Sequence, residues 1–239
     1  MTKLFLVRHG QTLWNQNARY QGHTNTPLND TGITQARLLA MRLATEPLQA
    51  VYSSDLKRAV DTARIIAEPH GLVMQTMPQL REINFGEWEG LTYQETKTYF
   101  GDISDRWHAS PGSVRIPGGE TFQELRERAY DAVIDLVNGQ DQSSIAVVTH
   151  GATIRAIICA LLSIDLNIVF RIRQDNAALN VIDYYGELGI LSLLNDTYHL
   201  EPILGQRPAL DPNFFSGMSS INANGLQVDR EIQDQENML

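Results

Sequence analysis

The sequence predicts an α/β fold, a three-layer α/β/α sandwich built around a mostly parallel central sheet. Short apolar runs predict three buried strands, at residues 4–7, 50–53 and 145–149. A helix-like apolar pattern comes after each run, and strands that alternate with helices are typical of parallel sheets covered on both faces. The carboxyl ends of such strands meet at one edge, where open α/β sheets bind their ligands.

Apolar residues at helical spacing predict four principal helices, at residues 31–44, 54–67, 121–138 and 152–162. Ser54 is expected to cap the second helix, because its hydroxyl can accept a hydrogen bond from a backbone N–H of the first turn. Thr121 and Glu124 form the T-x-x-E pattern of a capping box at the start of the third helix. Farther along, residues 179–185 and 190–194 predict a β-hairpin that turns around two glycines.

The composition limits the classes of partner. Acidic residues outnumber basic ones by 28 to 19, and the resulting net charge of −9 argues against nucleic-acid binding. No apolar run is long enough to span a membrane, and the chain enters its first strand without a signal peptide, so we expect a cytoplasmic protein. The one cysteine, Cys159, lies in an apolar helical pattern and is expected to be a core thiol.

The chain changes character near residue 205. Residues 1–204 carry the strand and helix patterns of one domain, whereas residues 205–239 are polar and rich in Asn, Gln, Asp and Ser. We expect this C-terminal tail to be partly disordered or to pack on the surface of the domain.

Four basic side chains follow the predicted strands. Arg8 and His9 end the first strand, Arg58 lies near the start of the helix after the second, and His150 follows the third. The Arg-His-Gly tripeptide alone would fit a basic surface loop equally well. In a parallel sheet, however, the four residues would meet at one edge with several helix N-termini. Arginines and helix N-termini bind oxyanions, so this edge predicts an anion site best suited to phosphate.

A phosphomonoester at this edge would need a nucleophile and a proton donor. A neutral imidazole nitrogen of His9 can attack phosphorus to form phosphohistidine, provided the other nitrogen finds an acceptor such as a backbone carbonyl. Asn15 and Gln21 can add neutral hydrogen bonds, and His150 would add a third positive donor if protonated. Glu82 is our candidate acid, because apolar neighbours could favour its protonated form. Three other glutamates are open alternatives: Glu87, Glu89 and Glu120.

The sequence lacks the common patterns of metal sites, P-loops and serine hydrolases. It contains no H-E-x-x-H, no cysteine cluster, no spaced aspartate set and no G-x-S-x-G. We therefore predict that no metal is required. The remaining histidines are predicted to be surface or loop residues, and His23 is the least certain because it shares a loop with Gln21. These histidines are His23, His70, His108 and His199.

Five segments together resemble the histidine phosphatase superfamily, the phosphoglycerate-mutase-like group. They are L-V-R-H-G-Q-T-L-W-N at 6–15, Q-G-H-T-N-T-P-L-N-D-T-G at 21–32, Y-S-S-D-L-K-R-A-V-D-T-A at 52–63, L-R-E-I-N-F-G-E-W-E-G at 80–90 and V-V-T-H-G-A-T-I-R at 147–155. The resemblance covers about residues 3–195 and is highly specific in combination. The F-G-E-W-E-G and P-G-G-E-T segments resemble the phosphatase branch, which includes broad-specificity and α-ribazole phosphatases.

The resemblance implies a role for each candidate. His9 would be the phosphorylated nucleophile and Glu82 the proton donor. The phosphate pocket would consist of Arg8, Asn15, Gln21, Gly22, Arg58, His150 and Gly151. Neither a metal nor an organic cofactor is implied. Residues 85–119 would form a small cap, whose aromatic residues would line the substrate site or fill a local core: Trp88, Tyr99, Phe100 and Trp107.

Within the family, the sequence favours a phosphatase over a phosphoglycerate-type mutase. Mutases that resemble this chain carry a longer insertion before the second histidine, with paired arginines for the substrate carboxylate, whereas the cap segment here, residues 85–119, holds only the isolated Arg106 and Arg115. We expect a metal-independent phosphomonoesterase of the histidine acid phosphatase type, acting through phosphohistidine on small phosphorylated metabolites. A mutase and a non-catalytic phospho-ligand sensor are the alternatives. The substrate and the oligomeric state stay open, with a homodimer common among relatives.

Overall fold

The computed structural model describes residues 1–139, 143–186 and 188–204, and its centre is a six-stranded sheet. The strands are β1 (Thr2–Arg8), β2 (Leu48–Ser53), β3 (Gln75–Thr76), β4 (Ser144–Thr149), β5 (Leu179–Tyr185) and β6 (Leu188–Asp196). Their order is β3-β2-β4-β1-β5-β6. The first four strands are parallel, β5 is antiparallel to β1, and β6 is antiparallel to β5. The mostly parallel sheet is confirmed.

Helices cover both faces of this sheet. They are α1 (Leu13–Gln16), α2 (Asp30–Leu43), α3 (Lys57–Ala67), α4 (Tyr93–Ala109), α5 (Phe122–Asn138), α6 (Gly151–Leu161) and α7 (Glu201–Leu204). Short 3-10 turns lie between them, at Glu68–His70, Pro78–Leu80, Gly86–Trp88, Leu166–Arg171 and Tyr198–Leu200.

The alternation of side chains along the strands divides the apolar residues between two cores. On β1, Leu4 and Leu6 belong to one core, and Phe5 and Val7 belong to the other. This division follows from strand geometry, because successive side chains point to opposite faces of the sheet. Residues of α5 and α6 complete the first core, and residues of α2 and α3 complete the second. The predicted three-layer sandwich is therefore present.

The structure corrects the predicted start of the second helix. The N-cap position of α3 is Leu56, whose apolar side chain cannot cap, and Asn25 Oδ1 accepts the Lys57 N–H at 2.7 Å instead. The Ser54 hydroxyl accepts a weak hydrogen bond from the Leu56 N–H at 3.3 Å and faces the candidate site. The capping box at α5 is confirmed, because Thr121 Oγ1 accepts from the N–H of Glu124 and the Glu124 carboxylate accepts from the N–H of Thr121.

The segment expected to form a cap contains the Gly86–Trp88 turn and α4. Its four aromatic residues occupy different environments. Trp88 is buried in the core and Phe100 packs against it, whereas Tyr99 is 70 % exposed. Trp107 is also buried, and it is the member of this set that lines the cavity described below.

Three further predictions concern the last third of the chain. The β5–β6 hairpin is confirmed, although β6 begins at Leu188 and so includes Gly189, one of the two glycines assigned to the turn. Cys159 is buried in the core, as expected. No helix in the described ranges is long and apolar enough to cross a membrane. The predicted polar tail, residues 205–239, lies outside the described residues.

Candidate active site

The carboxyl ends of β1 and β4 lie side by side and bring the predicted basic groups together. Arg8 pairs in register with Thr149, whose carbonyl oxygen accepts the His9 N–H at 3.0 Å. His150 follows directly, and the ring centroids of His9 and His150 are 5.1 Å apart. The first turn of α3 adds Arg58, whose Nε donates to His150 Nδ1 at 3.2 Å. The four residues predicted to meet at this edge do lie together.

His9 is held with one ring nitrogen available. Its Nδ1 lies 2.7 Å from the Gly10 carbonyl oxygen. A carbonyl can only accept, so Nδ1 carries the proton and Nε2 keeps its lone pair. Burial, followed by the charges of Arg58 and Arg8, lowers the pKa of His9 well below its ordinary value. His9 is therefore a buried, neutral imidazole in the wall of the cavity.

Close packing fixes the carbonyl group that orients His9. A Cβ atom at Gly10 would lie 2.4 Å from the Gly32 carbonyl oxygen, so this approach of two backbones requires glycine. The Gly10 N–H donates to Thr62 Oγ1 of α3 at 3.1 Å. The imidazole is thus oriented by backbone that is itself held in place.

Two guanidinium groups supply positive charge to the site. Arg58 donates from its terminal nitrogens to the carbonyl oxygens of Thr24 and Gly22, at 2.8 and 2.7 Å. Arg8 donates to the Gln174 carbonyl oxygen at 2.6 Å, and its buried Nε has no partner in the part of the chain that the structure describes. Burial lowers the pKa of Arg58 to about 10, so the group stays charged at neutral pH. Neither arginine is bonded to a described carboxylate, which leaves their charge for an anion.

His150 is fully buried and both of its ring nitrogens have partners. Its Nδ1 accepts from Arg58, so Nε2 carries the proton and donates to Ser54 Oγ at 2.8 Å. Burial, followed by the charge of Arg58, lowers the pKa of His150 well below its ordinary value. With these partners His150 is neutral, not a third positive charge. Ser54, expected to cap a helix, instead orients this ring.

Neighbouring side chains orient the amide groups of Asn15 and Gln21. Thr12 Oγ1 lies 3.1 Å from Asn15 Oδ1 and 3.0 Å from Gln21 Oε1, and the Thr26 hydroxyl also donates to Gln21 Oε1. Asn176 Nδ2 donates to Asn15 Oδ1 at 3.1 Å. Because the two oxygens are engaged, the amide nitrogens are available as donors, and both residues line the cavity.

The two glycines predicted at the phosphate pocket occupy different places. Gly151 begins α6 and lines the cavity, where a Cβ would lie 3.3 Å from Arg8 Nε. Gly22 is not among the lining residues. It has a φ of +49°, its carbonyl holds Arg58, and a Cβ there would lie 2.0 Å from Glu89 Oε1. Gly22 therefore positions an arginine and does not line the ligand cavity.

Glu82 lies at the N-terminus of α6. Its carboxylate oxygens accept hydrogen bonds from the backbone N–H groups of Ile83, Ala152 and Thr153, at 3.0, 3.3 and 3.2 Å. The prediction of apolar surroundings for Glu82 is wrong, because the unpaired N–H groups at a helix start make this a polar position. His23 Nε2 donates to the Glu82 carbonyl oxygen at 2.9 Å, so this histidine supports the segment from outside the cavity.

The three alternative glutamates are occupied elsewhere or exposed. Glu89 accepts the backbone N–H groups of residues 23 and 24. Glu120 forms an ion pair with an arginine of α5 at 2.8 Å. Glu87 is exposed. Of the four candidates, Glu82 is the one that lines the cavity.

A cavity of about 530 Å³ extends from these groups to the cap segment. Seven rings form its aromatic wall: Tyr20, Phe85, Tyr93, Trp107, His108, Phe122 and Phe170. The prediction that His108 is a surface or loop residue is therefore wrong. Its ring stacks on Phe170 at 5.6 Å between centroids, and its Nδ1 donates to the Ser104 carbonyl oxygen at 2.8 Å. Burial lowers the pKa of His108 below its ordinary value.

Sequence reasoning also missed most of the arginines in the cavity. We call the following set the polar wall: Arg155, Arg171, Arg173, Gln174 and Asp175. Arg155 lies four residues after Gly151 on α6, and this spacing places both on one face of the helix, a signal that could have identified it. Burial lowers the pKa of Arg155 to about 10. The other members end or follow the Leu166–Arg171 turn, where no periodic pattern points to a ligand.

These groups fit a phosphoryl group. Guanidinium groups, amide nitrogens and a neutral imidazole nitrogen surround one end of the cavity, and such donors stabilise the charge that develops during phosphoryl transfer. Within residues 1–139, 143–186 and 188–204, no group of three or more His, Cys, Asp or Glu side chains is placed to hold a metal ion.

Comparison with known proteins identifies the family. The model of the histidine phosphatase superfamily (branch 1) matches residues 4–197. The chain belongs to this superfamily. It is 35 % identical over 200 residues to phosphoserine phosphatase 1 of Hydrogenobacter thermophilus, covering 84 % of this chain and 95 % of the relative. It is also 33 % identical over 216 residues to a probable phosphoglycerate mutase, GpmB, of Yersinia pestis, covering 88 % and 98 %.

Solved structures agree with this assignment. Bacillus stearothermophilus YhfR matches with a TM-score of 0.80 and 29 % identity, covering 84 % of this chain and all of that one. The α-ribazole phosphatase of Shigella flexneri matches with a TM-score of 0.75 and 28 % identity, covering 81 % and 96 %. The resemblance to the phosphatase branch is thus confirmed. Superfamily membership and the phosphoserine phosphatase relative together support a phosphatase.

Proposed function

We propose that this protein is a metal-independent phosphomonoester hydrolase that acts on small phosphorylated metabolites through a phosphohistidine at His9. The arrangement of His9 carries the proposal. Its Nδ1 is 2.7 Å from a backbone carbonyl, so Nε2 is the nucleophilic nitrogen, and Arg8 and Arg58 lie beside it. A neutral nucleophile between two cations suits attack on a dianion, because the cations attract the phosphate and the lone pair stays free.

The reaction has two steps that share one acid–base group. In the first, His9 Nε2 attacks phosphorus, the bond from phosphorus to the ester oxygen breaks, and the Glu82 carboxyl gives its proton to the leaving oxygen. In the second, Glu82 takes a proton from water, whose oxygen attacks phosphorus and breaks the P–N bond. Free phosphate leaves, His9 recovers its lone pair and Glu82 its proton.

The remaining polar groups bind and orient the phosphoryl oxygens. Arg8 and Arg58 offer charged donors, and Asn15 and Gln21 offer amide N–H groups. His150 sits 5.1 Å from His9 between ring centroids and supports Arg58 through its Nδ1. A bound dianion would favour proton uptake by His150, which would then become a charged donor at the cost of its bond to Arg58.

Trapping the intermediate tests this proposal. The purified protein would be incubated with EDTA and a ³²P-labelled phosphomonoester, then quenched in alkali, where phosphohistidine survives. We expect label on the protein and release of inorganic phosphate, both of which disappear in His9→Ala. Cys159→Ser serves as a matched control, since the buried thiol lies outside the cavity lining. Label that persists in His9→Ala would place the nucleophile elsewhere, and activity abolished by EDTA would refute metal independence.

A phosphoglycerate-type mutase is the second candidate, because the chain is similar to GpmB. A mutase must hold the organic part of its substrate while phosphate moves between two hydroxyl groups. The cap arginines do not favour this, because Arg106 and Arg115 are exposed and neither lines the cavity. Following 3-phosphoglycerate would separate the two functions. Free phosphate without 2-phosphoglycerate indicates a phosphatase, whereas isomerisation that outruns phosphate release indicates a mutase.

A further inference from the structure

The cavity carries more positive charge than one phosphate group requires. Six arginines line it against two carboxylates, in a chain whose net charge is −9. Two of the arginines are paired, Arg19 with Glu95 at 2.8 Å and Arg173 with Asp175 at 2.7 Å. When these pairs are set aside, Glu82 is the one carboxylate left in the described lining, and four arginines remain: Arg8, Arg58, Arg155 and Arg171.

A simple phosphomonoester leaves this charge unbalanced. Four positive charges against the carboxylate of Glu82 leave a net charge of about three, of which a phosphate dianion neutralises two. One positive charge is then left over. When Glu82 carries the proton that the proposed reaction needs, the positive charge left over with the phosphate bound grows to two. Grouped guanidinium charges in a partly apolar cavity are costly unless an anion joins them. A substrate that carries a second anionic group would supply the missing charge.

Two arginines of the polar wall are placed to bind that charge. Arg155 donates from Nε to the Ile172 carbonyl oxygen at 2.7 Å, and its terminal nitrogens have no acceptor in the described part of the chain. Arg171 and Arg173 flank Ile172, which is buried and extended with φ −97° and ψ 106°, and both arginines line the cavity. Arg171 is exposed, and its side chain, which lines the cavity, makes no hydrogen bond or ion pair with any described residue.

The polar wall is fixed to the end of the cavity that holds Arg8, His9 and Arg58, which we call the phosphate end. Arg8 donates to the Gln174 carbonyl oxygen at 2.6 Å, and Asn176 Nδ2 donates to the His9 carbonyl oxygen at 3.3 Å. The Nε of Arg155 holds the same segment at Ile172. Because these bonds tie the wall to the nucleophile's own backbone, an anion bound there would lie at a set distance from the phosphate.

We propose that Arg171 and Arg155 form a subsite for a second anionic group of the substrate, a carboxylate or a second phosphate. The inference rests on the proposed phosphatase function and narrows its substrates to phosphomonoesters that carry another negative group. The carbon skeleton between the two anions would then pack on the aromatic wall. Arg173 adds to the positive electrostatic potential of the cavity but stays bonded to Asp175.

Matched substrate pairs test the subsite. 3-Phosphoglycerate differs from glycerol 3-phosphate by a carboxylate in place of a hydroxymethyl group, and fructose 1,6-bisphosphate differs from fructose 6-phosphate by a second phosphate. We expect kcat/KM to favour one anionic member over its partner by about tenfold or more, the effect of one charge-assisted hydrogen bond. The pair with the larger ratio identifies the anion. Ratios near one in both pairs would overturn the inference.

Substitutions of Arg171 test whether this residue causes the preference for the anionic substrate. Arg171→Met should reduce the ratio of the preferred pair to about threefold or less, and Arg171→Lys should restore part of it, because charge returns without the planar donor fork. Arg64→Met is the matched control, since Arg64 lies on α3 with its side chain 68 % exposed and outside the cavity lining. A ratio that Arg171→Met leaves unchanged would show that Arg171 does not bind the substrate.

A binding arm separates this inference from the proposed function. Calorimetric titration of His9→Ala with each preferred pair measures selectivity without turnover. Tighter binding of the anionic member, with no phosphate release by the wild type, would support the subsite and refute the phosphatase. If the wild type hydrolyses both members of the pair and His9→Ala binds them equally well, the phosphatase would be supported and the subsite refuted. Raising the ionic strength should weaken the preference, because added salt screens the pairing of an accessible charge.

Discussion

The two ends of the cavity are built in different ways. At the phosphate end, His9, Arg58 and His150 are each held by hydrogen bonds to the protein before any ligand arrives. At the other end, rings of the cap segment face a wall on which Arg171 has no partner among the described residues. Preorganised donors speed a reaction, because they cost no reorganisation when charge develops. The first end is suited to chemistry that many substrates share, and the second to choosing among them.

The strongest test of this division is the removal of the proposed nucleophile. His9→Ala should lower kcat by about 10⁴-fold or more for every substrate, since the other imidazole of the described lining, His108, lies in the aromatic wall with its Nε2 3.4 Å from the Tyr20 hydroxyl. Rates of phosphate release in the presence of EDTA would be compared with those of His70→Ala, whose side chain lies outside the cavity lining. A loss confined to some substrates would contradict a common role for the phosphate end.

Glu82→Gln should act through the leaving group. With alkyl phosphates, whose leaving oxygen needs a proton, we expect kcat/KM to fall by about 10² to 10⁴-fold. With p-nitrophenyl phosphate, a good leaving group, the first step should lose much less. Single-turnover measurements on both substrates check this, with the exposed Glu87→Gln as control. Equal losses for the two substrates would remove Glu82 from the role of proton donor.

Arg58→Lys should have a smaller effect, again on all substrates. The change keeps one positive charge but loses the fork that bonds Thr24, Gly22 and His150. We expect kcat/KM to fall by about 10²-fold, the loss of roughly 3 kcal/mol of charged hydrogen bonding. Arg64→Lys on the same helix is the matched control and should retain wild-type activity. If kcat/KM fell for some substrates and not for others, Arg58 would belong to the groups that select the substrate.

The sequence predicted the phosphate end better than the rest of the cavity. Strand ends and helix starts are local features, so the convergence of Arg8, His9, Arg58 and His150 followed from the order of elements alone. Ser54 was misassigned because a serine three residues before a helix can cap it or face inward, and the choice depends on His150, 96 positions away. Such a contact has no local signature.

The polar and aromatic walls were harder to predict because they are assembled from distant segments. His108 lines the cavity because α4 packs it against Phe170, which comes from a 3-10 turn much later in the chain. Glu82 was chosen as the acid for a wrong reason, since helix N–H groups surround its carboxylate, not apolar side chains. Tertiary packing decided both environments, and periodicity along one segment cannot report it.

The buried histidines of the phosphate end should make folding stability depend on pH. The folded-state pKa values of His9 and His150 are depressed by burial and by nearby arginines, so these rings stay neutral in the folded protein while the unfolded chain takes up protons below about pH 6.5. Stability is therefore retained above that pH and lost below it. Urea unfolding should show about 2–3 kcal/mol less stability at about pH 5.5 than at about pH 7.5.

A variant links this loss to the phosphate end. His150→Gln removes one of the two groups, and the difference in unfolding free energy between the two pH values should shrink by roughly half, whatever the variant does to stability at neutral pH. An unchanged pH dependence would mean that other titrating groups determine it. The buried histidines of the phosphate end would then not be the cause of the lost stability at low pH.

The smallest effect is expected from the aromatic wall. Phe170 contacts Trp107 at 5.1 Å and His108 at 5.6 Å between ring centroids. Phe170→Leu alters this surface without touching the phosphate donors, so it should change kcat/KM by less than about tenfold and mainly through KM, as expected for uniform binding. The order of preference among substrates should change, while Tyr99→Leu, at an exposed position of α4, should leave it as in the wild type. If Phe170→Leu lowered kcat equally for all substrates, the aromatic wall would belong with the chemistry, and the division between the two ends of the cavity would not hold.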